Sequence, residues 1–255
     1  MSKLAAENKF FDLSDYGRPT ARWWANYLSE TNVTPVQVTL VFGLCGIAAI
    51  CSILFGYYWF AAFFLILKSI IDAVDGELAR LKKTPSYTGR YLDSIFDSIL
   101  NFLFLLAIYS VTESSFYLMV VAYLSMQLQC SLYNYYYVIL RNATSGSDMT
   151  SKIFEQKVPQ AFPGENQKTV YILYHVFNAL YFVFDKTIQL LDPKAYKSKS
   201  FPSWFMTCIS IYGLGFQLLI MGVMLIVGWS ICIIPFFIGY SILILLFVFI
   251  RRNIL

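Results

Sequence analysis

Asp72-Ala73-Val74-Asp75-Gly76-Glu77-Leu78-Ala79-Arg80 is followed, after eight residues, by Gly89-Arg90-Tyr91-Leu92-Asp93-Ser94-Ile95-Phe96-Asp97. Both segments sit inside long apolar runs. At 100° per residue, Asp72, Asp75, Gly76, Ala79 and Arg80 share one arc of about 140°, and Gly89, Asp93 and Asp97 share one of about 80°. Each segment is therefore expected to be a helix with one acidic face. The Thr84-Pro85-Ser86 turn between them brings the second helix back antiparallel to the first, so that the two faces converge. An ionised Asp within a membrane costs about 2.5–3.5 kcal/mol. Four in adjacent helices call for compensation, and divalent cations bound through oxygen ligands are suited to supply it.

The surrounding composition is that of a membrane protein. Of 255 residues, 58% are hydrophobic and 13% charged, and the mean hydropathy is +0.60. Apolar runs without strand-like alternation point to helices rather than a barrel. Six segments, near 36–55, 58–80, 91–112, 116–140, 205–227 and 229–250, are long enough to cross about 30 Å of hydrocarbon. The chain is read as one all-α, polytopic membrane domain over 1–255 with six transmembrane helices. A net charge of +4 spread along the chain argues against a nucleic-acid partner. Cys45, Cys51, Cys130, Cys208 and Cys232 lie in apolar stretches with no CxxC spacing, so neither a disulfide framework nor a zinc site is indicated. With His175 the only histidine, a histidine metal cluster is excluded too.

Basic residues outside the spans fall on one side. Lys3, Lys9, Arg18 and Arg22 precede span one, and Lys82, Lys83 and Arg90 flank the acidic turn. Arg141 and the lysines from Lys152 to Lys199 lie between spans four and five, with Arg251 and Arg252 after span six. The positive-inside rule puts both termini and the acidic turn in the cytoplasm. Within the N-terminal segment, 1–34, the mix of Phe10, Phe11, Trp23, Trp24 and Tyr27 with Arg18 and Arg22 over 9–28 suits a helix in the headgroup region. A second insertion, 142–204, begins as a polar loop and continues at 169–191 as an apolar stretch holding His175, Asn178, Asp185 and Lys186. If 169–191 crossed, the last two spans would be inverted, so it is read as interfacial or re-entrant. The compact chain with no targeting segment fits a bacterial cytoplasmic membrane.

Gly76, Ala79 and Gly89 remove bulk where a nucleotide or phosphate would approach the backbone, and Arg80 stands close enough to Asp75 to meet a phosphate beside bound cations. The pattern Asp72-x2-Asp75-Gly76-x2-Ala79-Arg80-x8-Gly89-x3-Asp93-x3-Asp97 resembles the signature of the CDP-alcohol phosphotransferase family at all eight positions. The resemblance implies that Asp72, Asp75 and Asp93 hold Mg²⁺ or Mn²⁺, two ions per site. Asp97 would complete the second ion's ligands and act as the general base. Asp72, Asp75, Gly76, Ala79, Arg80 and Gly89 would bind the cytidine nucleotide. The implied reaction is attack of an alcohol on the β-phosphorus of a CDP-linked donor with release of CMP, in phospholipid synthesis, by a homodimer. The donor would be CDP-diacylglycerol, or else CDP-choline or CDP-ethanolamine with a lipid acceptor. A carboxylate-based cation transporter is the alternative from outside enzymology, and it would need polar groups continued towards the far side.

Relatives commonly carry Pro-Asn-x-x-Thr at the start of span one, whereas this chain has Pro35-Val36-Gln37-Val38-Thr39 after Thr34. Thr34 suits a helix cap and Pro35 the first turn; Thr39 remains a nucleotide-site candidate. For the acceptor, Tyr133, Tyr135, Tyr136 and Tyr137 form either an interfacial aromatic belt or part of a pocket for an ammonium alcohol. Arg141 could hold an anionic acceptor such as a polyol phosphate. Lys68, one turn before Asp72, is either a charge-balancing partner or an acceptor ligand.

Overall fold

The computed structural model describes residues 4, 8–145, 155, 157–198 and 200–255. Lys3, Lys152 and Lys199 of the basic set, and Gly146-Ser147 of the polar loop, lie outside them. Among the described residues ten α-helices follow in order: α1 Arg18–Ser29, α2 Pro35–Leu54, α3 Tyr58–Leu81, α4 Tyr87–Thr112, α5 Phe116–Ser145, α6 Gln167–Leu191, α7 Ser203–Ile209, α8 Leu214–Ile226, α9 Ser230–Tyr240 and α10 Ile242–Asn253. No strand occurs among the described residues. α2, α4, α5 and the run α9–α10 are long and apolar enough to cross a membrane, and α7 with α8 would make a fifth span bent by 53°. The protein is an integral membrane protein. α3 has the length of a span at 24 residues but carries Lys68, Asp72, Asp75, Glu77 and Arg80, more charge than α4 with Arg90, Asp93 and Asp97.

Local chemistry explains most helix ends. Thr34 caps α2 in a capping box with Gln37, and Pro35 opens the helix. Ser86 caps α4 by accepting from Gly89 N at 2.8 Å. The turns after α2 and α8 fall at Gly56 and Gly228, whose φ of 76° and 83° suits glycine. The apolar core joins α2, α3, α4, α8 and α9 around Phe42, Leu65, Phe104 and Met221. A second cluster packs α5 against α7 and α10.

Three features go beyond the linear reading. α1 lies on α3, burying Ala21 and Ala25 and leaving Trp23 68% exposed, as an interfacial helix requires. α6 is one unbroken helix seated between α4 and α5. The expected straight span over 205–227 is instead divided at Ser210–Tyr212, a single 3-10 turn. The reason lies at the other end of the chain, because Leu13 N donates to Ser210 Oγ at 2.9 Å and residues 12–15 occupy the bend.

The loop leading into α6 is pinned to the start of α4. Glu165 accepts from Thr88 N and Ser86 Oγ, both at 2.7 Å, and from Phe162 N at 3.1 Å. Partial burial alone would push the Glu165 carboxyl up, but these donors outweigh it and hold it below its usual range. A depressed carboxylate stabilises the fold above its unfolded pKa of about 4.3 and loses that contribution as pH falls through the folded value. Amide exchange at Thr88 and Phe162 should therefore lose protection below about pH 4. In Glu165→Gln that pH dependence should vanish; persistence of the same acid step in the variant would clear Glu165 of the role.

Candidate active site

α3 and α4 bring the acidic faces together. One carboxylate oxygen from each of Asp72, Asp75 and Asp93 lies within 4.8 Å of the other two. Asp75 is buried and accepts from Thr39 Oγ1 at 2.7 Å, which places Thr39 at the cluster through Asp75. Asp93 Oδ1 is buried with no hydrogen-bond partner. Three hard oxygen donors, one of them unsatisfied, fit a divalent cation. Asp97 stands apart from this trio. Its Oδ1 accepts from Lys68 Nζ, which also reaches Asp72 at 3.2 Å. Lys68 is 1% exposed and sits 4.6 Å from the centre of the Phe42 ring. It is thus engaged with two carboxylates, the charge-balancing arrangement.

Arg80 folds back along α3. Its Nη1 comes within 3.5 Å of where a Cβ on Gly76 would stand, an ordinary van der Waals distance. Glu77, which the sequence did not single out, organises this corner. It is buried, accepts from Arg18 at 2.5 Å and pairs with Arg80 at 3.2 Å. Arg18 is also held by Asp15. Arg80 Nε is buried and has no hydrogen-bond partner. Gly89 sits at the α4 cap, its missing Cβ 4.0 Å from Val36 Cγ2. The position where relatives carry Asn therefore abuts the motif's third small residue with an apolar side chain.

A cavity of about 540 Å³ opens over the cluster. Asp72, Asp75, Gly76, Asp93 and Asp97 line it, as do Tyr135 and Arg141; Thr39, Lys68, Ala79, Arg80 and Gly89 lie outside the lining. Tyr135 is buried with its hydroxyl on Asp192 O at 3.3 Å, and Tyr136 donates to Asp192 Oδ2 at 2.8 Å. Asp192 also pairs with Arg251, so this part of the tyrosine cluster ties α6 to α5 and α10. Tyr133 donates to Asp12.

Residues 32–234 match the family described as CDP-alcohol phosphatidyltransferase. The chain belongs to that family. The match holds every motif residue, α2 to α8 and the start of α9, whereas the Asp12–Arg18 wall of the cavity precedes it. A curated relative, the bifunctional IPC transferase and DIPP synthase of Thermococcus kodakarensis, is 40% identical over 87 residues, which is 33% of this chain and 20% of that protein. The chain thus spans about a fifth of that relative's length. What sequence reasoning missed was the support around the motif: Glu77, Arg18, and the α6 side chains on the cavity wall. An acidic residue in an apolar helix beside an arginine-bearing amphipathic segment was the available signal for the first two.

Proposed function

We propose that this protein transfers a substituted phosphate from a CDP-linked donor to an alcohol acceptor, releasing CMP, in phospholipid synthesis. The observation that carries the reading is the convergence of Asp72, Asp75 and Asp93 in a chain of this family. Asp72, Asp75 and Asp93 would hold Mg²⁺ or Mn²⁺, with Asp97 reaching a second ion. Divalent cations bound there neutralise a pyrophosphate and ease departure of its nucleotide half.

The protein's own groups then have separable tasks. Gly76, Ala79 and Gly89 admit the nucleotide, and Arg80 turns its unpartnered donor to the diphosphate. Lys68 occupies Asp97 Oδ1, leaving Oδ2 for the acceptor hydroxyl. Asp97 takes that proton while the alcohol oxygen bonds to the β-phosphorus and the bridging oxygen leaves with CMP. Dimerisation, six spans with α3 among them, and a cytoplasmic site in a bacterial inner membrane complete the reading. Basic residues beside the acidic turn support the orientation.

Purified protein given CDP-diacylglycerol, CDP-choline or CDP-ethanolamine with an alcohol should release CMP only when Mg²⁺ or Mn²⁺ is present. No release from any donor overturns the reading, and release that persists in EDTA removes the metal from it. Because Glu77 fixes Arg80, Glu77→Gln is expected to raise the donor KM about tenfold with kcat changed less than about threefold. A drop confined to kcat would detach Glu77 from donor binding.

A further inference from the structure

We propose that the cavity-facing side of α6, with the part of α5 opposite it, forms the acceptor subsite and selects a polyol. The proposal rests on the phosphotransfer reading. α6 is amphipathic in the inverted sense: Ile172, Val176, Val183 and Leu190 are exposed outward, while Asn178 and Asp185 line the cavity. These two stand seven residues apart, nearly two turns, and so share a face. Across from them Ser131 and Asn134, three residues apart on α5, line the same space. Polar side chains turned inward from an apolar helix in a membrane protein mark a ligand path.

The chemistry of the four groups narrows the ligand. Ser131 is 4% exposed and its Oγ makes no hydrogen bond, although Asp185 comes close enough for each to sense the other. Asn134 and Asn178 make no hydrogen bond among the described residues. One hydroxyl, two amides and one carboxylate, of which only Ser131 and Asp185 sense each other, match adjacent hydroxyl groups, each of which donates to one side chain and accepts from another. The tyrosines that would cage an ammonium are tied to Asp192 and Asp12. The subsite shares its cavity with Asp97, and about 540 Å³ accommodates a small polyol beside the reacting phosphates.

The test uses the full chain in nanodiscs with CDP-diacylglycerol and Mg²⁺, following CMP release. The acceptors are glycerol, myo-inositol, their monophosphates, serine and ethanolamine. Turnover is expected with polyols, and comparison of the free and phosphorylated arms decides which form is taken. Asn178→Ala and Asp185→Asn should each raise the polyol KM about tenfold while the donor KM stays within about twofold. The unchanged donor KM also guards against misfolding. Turnover with amino alcohols alone, or an unaltered polyol KM in both variants, overturns the subsite. Calorimetry of CDP binding with Mg²⁺ separates the two levels: CDP binding without polyol turnover sinks the subsite alone, and no CDP binding sinks the phosphotransfer reading with it.

Discussion

Asp97→Ala is expected to lower kcat for CMP release by about 10²–10⁴-fold, the range a lost general base produces, while the donor KM moves far less. The structure separates the two quantities. Asp97 stands outside the trio of Asp72, Asp75 and Asp93 and is held instead by Lys68, with its second oxygen available in the cavity. Asp93→Ala should behave differently, because Asp93 contributes the unsatisfied oxygen of the cluster; metal-dependent binding of CDP should be lost along with turnover. Measuring kcat and donor KM for both variants decides the assignment. If Asp97→Ala weakens CDP binding as much as Asp93→Ala does, Asp97 is chiefly a metal ligand and the base lies elsewhere.

Lys68→Met should be the most destabilising single change at the site, by about 3–5 kcal/mol, the cost of stripping one partner from a buried charge pair. Lys68 is almost fully enclosed and serves Asp97 and Asp72 together. Its loss leaves two carboxylates facing a methionine beside Asp75 and Asp93. The deficit, read as a fall in unfolding midpoint in detergent, should shrink when Mg²⁺ is added, since a bound cation replaces part of the missing charge. Adding Asp97→Asn to Lys68→Met should recover stability without recovering turnover. Equal midpoints for wild type and Lys68→Met would mean that water, rather than Lys68, compensates these acids.

The helical period carried the acidic faces from sequence to structure because it is local: Asp72 and Asp75, or Asp93 and Asp97, share a face whatever packs on them. The same holds for Thr34, Pro35 and Gln37, whose capping is decided within four residues. What stayed hidden depends on distant partners. Glu77 points to Arg18, 59 residues away, and no local pattern encodes that meeting. Thr39 reaches the acidic cluster by way of Asp75, 36 residues on. The division of the span near Ser210 follows from Leu13, 197 residues earlier. α6 was ambiguous because hydropathy averages its outward aliphatics with the inward Asn178 and Asp185.

The seating of residues 12–15 also makes one side of the cavity a long-range construction. A side chain on Gly215 would collide with the carbonyl of Ser14, and one on Gly213 with the Ser14 side chain; the leading segment is nested against residues that the ribosome adds roughly two hundred steps later. The same segment is gripped from two other sides, with Tyr133 on α5 donating to Asp12 and Glu77 on α3 holding Arg18. One wall of the chamber is thus clasped at once by α3, α5 and the start of α8.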